Sequence, residues 1–387
     1  MRSPLVGLAL AALLGFVLGA CTPALDSALL PPAEPATLRI VSSLPSKGIY
    51  RRSTAETRQA IDLALAATPA DMPFKLEHVA LDGGSDETGE WTTAIEERNA
   101  RAAANDPSVV AYIGPHNSGA AGAALPITGR AGLLTLGVAA TWPGLTQAGW
   151  EVGQPETFYP SGIRHFVRLV PSDSVQAEAA AEWAEADGRM NVFVMQDGST
   201  YSEGMAREFG RHFPGAASDP VLVPTTDEQV ILPDLVGYDA VYVAPSSVRS
   251  AERLANALYE SRLPVYTTDV ALDPQFLELA GSAAGSWHIV SNAGGPPAPS
   301  IAQLFPDTPE HLAGNRTALY AYVMARLVVE AVDSGHADRA GLLEYVRGKR
   351  LPDGTPLFDD AGDPAAWAVE GYRASGGAFE VVREFVR

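Results

Sequence analysis

Short runs rich in β-branched and aromatic residues alternate with longer amphipathic runs along this chain, and that rhythm restricts the fold more than any other feature. Leu38 to Ser42 is followed by Thr54 to Ala67, Lys75 to Leu81 by Trp91 to Ala104, and Val109 to Ile113 by Ala120 to Gly132. Strand period giving way to helix period at this spacing is the grammar of βαβ units, in which helices cover both faces of a parallel sheet. The pattern continues through Leu133 to Val138, Val175 to Ala186, Val192 to Gln196, Gly204 to Phe213, Ala240 to Ala244, Arg249 to Ser261 and Val265 to Thr268. A long helix over Arg316 to Ser334 and a closing pair of strands, Trp367 to Tyr372 and Phe379 to Phe385, complete it. The class predicted is α/β, with doubly wound parallel sheets. Gly144 to Ser161 and Ser291 to Pro309 break the rhythm, and long loops of this kind are functional or lie near hinges.

The apolar run from Leu5 to Leu18 follows Arg2 and ends at Gly19-Ala20-Cys21, where Cys21 is the only cysteine. It is shorter than the ~20 residues that span a bilayer, so residues 1–20 read as a cleaved secretory signal. The small residues before Cys21 resemble a bacterial lipobox, whose thiol is lipidated; a buried core cysteine is the bland alternative. The expectation is an extracytoplasmic protein anchored to a bacterial membrane through lipidated Cys21, with residues 21–35 as a flexible tether. Beyond residue 20 lie 367 of the 387 residues, more than one core usually organises, which predicts two lobes. A formal net charge of −19 argues against nucleic acid as a partner.

Catalytic signatures are missing from the sequence: it has no Walker phosphate loop, G-x-S-x-G elbow, H-E-x-x-H helix or cysteine–histidine cluster. No enzyme activity, cofactor or metal is therefore expected. Asp82-Gly83-Gly84-Ser85-Asp86 reads as a strand-terminating turn, since it lacks the glutamate of an EF-hand.

What the chain does carry is a repeated strand-to-loop transition. Val109 to Ile113 runs into Gly114-Pro115-His116-Asn117-Ser118-Gly119, with a helix beginning near Ser118, and Leu134 to Gly137 runs into Val138-Ala139-Ala140-Thr141-Trp142. Open amides at a helix start favour an anion, and ligands of parallel α/β sheets settle beyond the carboxyl ends of strands. Ser118 could cap its helix or bind a ligand carboxylate, and the residues alone leave both open.

The stretch from Ile113 to Thr146, with Tyr159-Pro160-Ser161-Gly162, Phe166-Val167-Arg168, Pro171-Ser172-Asp173, Gln176 and Tyr201-Ser202-Glu203-Gly204-Met205, resembles the leucine/isoleucine/valine-type periplasmic binding proteins, receptors of branched-chain amino acid ABC importers. The resemblance runs in order through nearly the whole chain after Cys21. It implies the type I periplasmic binding-protein fold, two lobes joined by a three-stranded hinge: 36–169 with 291–351, and 170–290 with 352–387. It further implies that Ser118 and the Thr141 amide hold a ligand carboxylate, and that the Ala139 carbonyl, the Thr141 hydroxyl and Asp269 hold the ammonium. Asn117, Ala140 and Ser246 join the ligand site, Tyr201 closes over it, and Trp142 and His116 are candidate pocket walls. Ser246 departs from the aromatic residue often found there. Arg51 and Arg52 could serve an acidic ligand or a transporter interface. The function implied is a monomeric receptor that delivers an aliphatic amino acid to ABC permease subunits; the alternative is a sensory protein of the same fold for an amide, urea or nucleoside-like ligand.

Overall fold

The computed structural model describes residues 36–225, 230–292, 304–375 and 377–386, and residues 36–387 form one compact unit. The signal, the tether, Cys21 and part of the Ser291–Pro309 loop lie outside the described residues.

Two sheets organise the chain. The first has the order β2-β1-β3-β4-β5 and is parallel throughout, formed by β1 (Ala36–Leu44), β2 (Phe74–Asp82), β3 (Val109–Ile113), β4 (Leu134–Gly137) and β5 (Phe166–Arg168). All five residues of β3 are buried, as a central strand covered on both faces requires. Its helices are α1 (Arg51–Ala66), α2 (Thr93–Asn105) and α3 (Ser118–Arg130).

The second sheet runs through β6 (Asn191–Gln196), β7 (Ala216–Ala217), β8 (Val221–Leu222), β9 (Ala240–Ala244), β10 (Val265–Thr268) and β11 (Trp287–Ser291). It ends in β12 (Ala368–Ser375) and β13 (Ala378–Val386), which pair antiparallel, so parallel pairing holds only up to β11. The helices of this half are α4 (Asp173–Ala186), α5 (Thr200–His212), α6 (Val248–Leu258) and α7 (Pro274–Ala280). Two further helices follow β11, α8 (Arg316–Asp333) and α9 (Arg339–Arg347). Strands β5 and β11 and helices α7 and α9 were not legible in the periodicity. Three residues are too few for a period, and β11 carries His288 inside an otherwise apolar run.

Side-chain caps fix where several helices start. Thr92, Ser199, Ser247 and Asn315 accept hydrogen bonds from the amides of Ile95, Ser202, Ser250 and Ala318. Asn117 precedes α3 and Ser172 precedes α4 without such a bond.

The chain crosses between sheets after Arg168, after Ser291 and before Ala368. The first sheet's core includes most of the inner face of α8 and also Leu357 and Phe358. The sequence reading gave 352–387 wholly to the second lobe. Leu357 and Phe358 instead find their apolar neighbours against the first sheet, and Val369 and Phe385 join the second core. The third crossing is anchored by Arg168, wholly buried, whose Nε donates to Asp363 at 2.7 Å. Its Nη1 donates to the carbonyls of Ala140 and Trp142, and its Nη2 to Thr146.

Candidate functional site

Between the two sheets lies a cavity of ≈ 660 Å³, within the range that small-molecule sites occupy. It opens where the carboxyl ends of the strands converge. The first sheet contributes His116 to Gly119 after β3, and Val138, Ala139 and Thr141 after β4. From the second come Gly198 to Tyr201 after β6, Ser246 and Ser247 after β9, Asp269 and Val270 after β10, and Asn292 after β11. Each loop leaves a buried parallel strand, so the backbone geometry of the sheets sets the distance across the cleft.

At the first-sheet wall, α3 begins at Ser118, and its first amides have no intrahelical acceptor. Asn117 rather than Ser118 precedes α3, so the Ser118 hydroxyl does not cap that helix, and Ser118 lines the cavity with its hydroxyl still able to donate. Its Oγ accepts from the amides of Thr141 (3.2 Å) and Trp142 (3.1 Å), tying the two strand-end loops together. The Thr141 amide, expected to hold a ligand carboxylate, donates to Ser118 Oγ in this structure. Ala139 lines the cavity. Ala140 is fully buried and does not, because its carbonyl accepts from Arg168.

Trp142 also leaves the main cavity. Its Nε1 donates to Gln154 at 3.1 Å, and its ring packs 4.9 Å from that of Trp150 and against Gly204 of α5. It lines a second, smaller cavity of ≈ 270 Å³ beside the first.

On the opposite wall, Gln176 is wholly buried and donates from Nε2 to Asp269 Oδ1 at 3.0 Å and to the Val290 carbonyl at 2.6 Å. The Tyr201 hydroxyl lies 3.5 Å from Gln176 Oε1. Burial raises the Asp269 carboxyl above its usual range, opposed by the hydrogen bond from Gln176, the Asn292 amide and the charge of Arg316. Asp173, wholly buried at the start of α4, is pushed up to about 7 by burial, opposed by the Thr141 hydroxyl and the charge of Arg168. Ser246 lines the cavity, with its amide and hydroxyl both donating to Asp197, at 2.7 and 2.6 Å.

Arg51 and Arg52 are exposed and do not line the cavity, and Arg52 pairs with Glu56 at 2.9 Å. The cation that does line it is Arg316, at the start of α8, 3.3 Å from Glu370 of β12. Sequence reasoning missed Arg316, Thr317, Tyr320, Tyr50, Glu90 and Trp91 as lining residues. Only tertiary packing brings Arg316, Thr317 and Tyr320 to one rim with Tyr50, Glu90 and Trp91, more than 200 residues earlier in the chain.

Among the described residues no group of three or more His, Cys, Asp or Glu could hold a metal ion, and no helix is long and apolar enough to cross a membrane. One arrangement imitates a hydrolase: His78 lies 2.8 Å from Ser42 and 2.7 Å from Asp62. Ser42 has no exposed surface and lines neither cavity, so no substrate carbonyl reaches it.

No protein-family profile and no curated protein matches the chain. Solved structures do. The leucine-binding protein LivK of Thermotoga maritima aligns with a TM-score of 0.70 at 20% identity, covering 90% of this chain and 98% of its own. LivJ of Streptococcus pneumoniae, a branched-chain amino acid transporter substrate-binding protein in complex with isoleucine, aligns at 0.68 and 20%, covering 91% and 99%. An ABC transporter solute-binding protein of R. palustris in complex with 4-hydroxybenzoate aligns at 0.68 and 17%, covering 90% and 97%. The chain thus has the type I periplasmic binding-protein fold shared with substrate-binding proteins of branched-chain amino acid ABC transporters.

Proposed function

We propose that this protein is the extracytoplasmic receptor of an ABC importer, capturing an amino acid between its two lobes and handing it to the permease. One observation carries the reading: the open amides at the start of α3 face a cavity whose other wall presents the Asp269 carboxylate. An α-amino acid has both complementary groups, a carboxylate for the helix start and an ammonium for Asp269. The Ala139 carbonyl and the Thr141 hydroxyl complete the ammonium site, and Tyr201 covers it. The R. palustris neighbour is in complex with a ligand that has no ammonium group, 4-hydroxybenzoate. Such a ligand here would leave Asp269 with no cation to meet, which favours an amino acid.

The signal over 1–20, the anchor at Cys21 and the monomeric state belong to the same proposal. So does the two-lobe division, with the last crossing moved beyond Asp363. The test is a thermal-shift screen of the chain from Thr22, unfolded and refolded to remove carried-over ligand, against amino acids, amides, urea and purines. Amino acids raise the midpoint, and Asp269→Asn weakens binding by about 2–5 kcal/mol, the cost of stripping one partner from a buried charge pair. Stabilisation by amides or purines alone refutes the amino-acid reading.

A further inference from the structure

We infer that the cleft end formed by Tyr50, Glu90, Trp91, His116 and Asn117 recognises a side chain that donates N–H hydrogen bonds, so that the ligand is an amino acid with an amide, guanidino or ammonium side chain. This rests on the amino-acid reading above and narrows it away from the aliphatic ligands first expected.

A carboxylate only accepts, so the Tyr50 hydroxyl, 3.2 Å from Glu90 Oε2, donates to it. Tyr50 must then accept from Asn117, whose Nδ2 stands 3.5 Å away. That order turns Asn117 Oδ1 away from Tyr50 into closed surroundings, so the acceptor a ligand can reach at this end is the exposed Glu90 carboxylate, to which Tyr50 donates from the protein side. His116, edge-on to Tyr50 at 5.2 Å, is held neutral because burial lowers it to about 4, so no positive charge stands there. A carboxylate at the wall of a ligand cleft calls for a donor from the ligand, and an aliphatic side chain supplies none.

Charge points the same way. Glu90 and Asp269 both line the cavity; the lining cation, Arg316, is engaged by Glu370, to which Tyr372 also donates. The ammonium of an amino acid answers Asp269, and its carboxylate answers α3. Glu90 is left at the rim, with no cation pairing it among the described residues. The ring of Trp91 sits beside it, over Gly119, and offers a face to a planar or cationic group. Val138 and Val270 of the lining adjoin in sequence Ala139 and Asp269, at the α-amino end rather than this one.

The test is calorimetric titration of the refolded chain from Thr22 with leucine, isoleucine, glutamine, arginine and glutamate. Glutamine or arginine binds at least about tenfold more tightly than leucine, the low end of what a hydrogen bond to a charged group contributes. Asn117→Leu and Glu90→Gln each lower that ratio at least threefold. Glu90 is exposed, so its variant keeps the fold even where a change at Asn117 does not. Tightest binding of leucine or isoleucine overturns this inference and leaves the receptor reading standing. Preference for glutamate overturns it in favour of Arg316 as the side-chain contact, and a ratio untouched by both substitutions overturns it as well. Binding of no amino acid at all overturns both readings.

Discussion

Replacing Arg168 by Met should cost this protein a large part of its stability, and the structure says how much. The side chain is fully buried, and its donors serve Asp363, the carbonyls of Ala140 and Trp142, and the Thr146 hydroxyl. Asp363, 7% exposed, keeps partners in Thr146 (3.0 Å) and Gln147 (2.8 Å) but loses its only cation. Breaking a buried pair from one side costs about 3–5 kcal/mol, mostly because a charge stays behind. Against a typical total of roughly 5–15 kcal/mol that is about a fifth or more. Met fills most of the volume, so the loss reports on polar groups rather than on a void. The measurement is urea unfolding of Arg168→Met, Asp363→Leu and the double variant. Each single change loses about 3 kcal/mol or more, while the double loses clearly less than their sum, with a coupling of about 2 kcal/mol or more. Additive losses, or singles below about 1 kcal/mol, would refute the view that this pair clamps the third crossing to the loop after β4.

Three further outcomes follow from particular contacts. A Cβ added at Gly204 falls 2.2 Å from the Trp142 ring, so Gly204→Ala holds α5 away from the loop after β4 and weakens ligand binding; Trp142→Ala in the same chain restores it, read by calorimetry. Burial raises Glu96 to about 7, with Tyr112 and Ser43 donating to it, so the folded state holds this proton more tightly than the unfolded chain. Its contribution is therefore full below about pH 4.5 and is lost as pH rises through 7, by about 3 kcal/mol in all; Glu96→Gln flattens that part of the stability–pH curve in urea titrations. Finally, ester or amide substrates are not turned over above the level of Ser42→Ala, because the Ser42–His78–Asp62 line is closed to solvent at its serine.

Much of the architecture was legible because burial repeats along the chain. The strands β3, β9 and β10 and the start of α3 fall at or beside their expected positions, since a fully buried strand and a helix start are written in neighbouring residues. Ser118, Ala139, Thr141, Tyr201, Ser246 and Asp269 all reach the cavity, because each follows the carboxyl end of a parallel strand or begins the helix after it. Ala140 and Trp142 do not, although they lie in the same loop. Arg168 draws the carbonyls of both into the interior, and that arginine is 26 residues or more along the chain.

By itself, then, the sequence determined the alternation of strand and helix and the loops that end at the cleft. These are local properties, set by side-chain period and by the chemistry of a few adjacent residues. Only the tertiary structure decided that Ser118 ties two loops together, that Arg316 rather than Arg51 or Arg52 enters the cleft, and that Leu357 and Phe358 return to the first core. Those outcomes depend on which distant partner satisfies a buried group, and no periodicity along the chain encodes that choice.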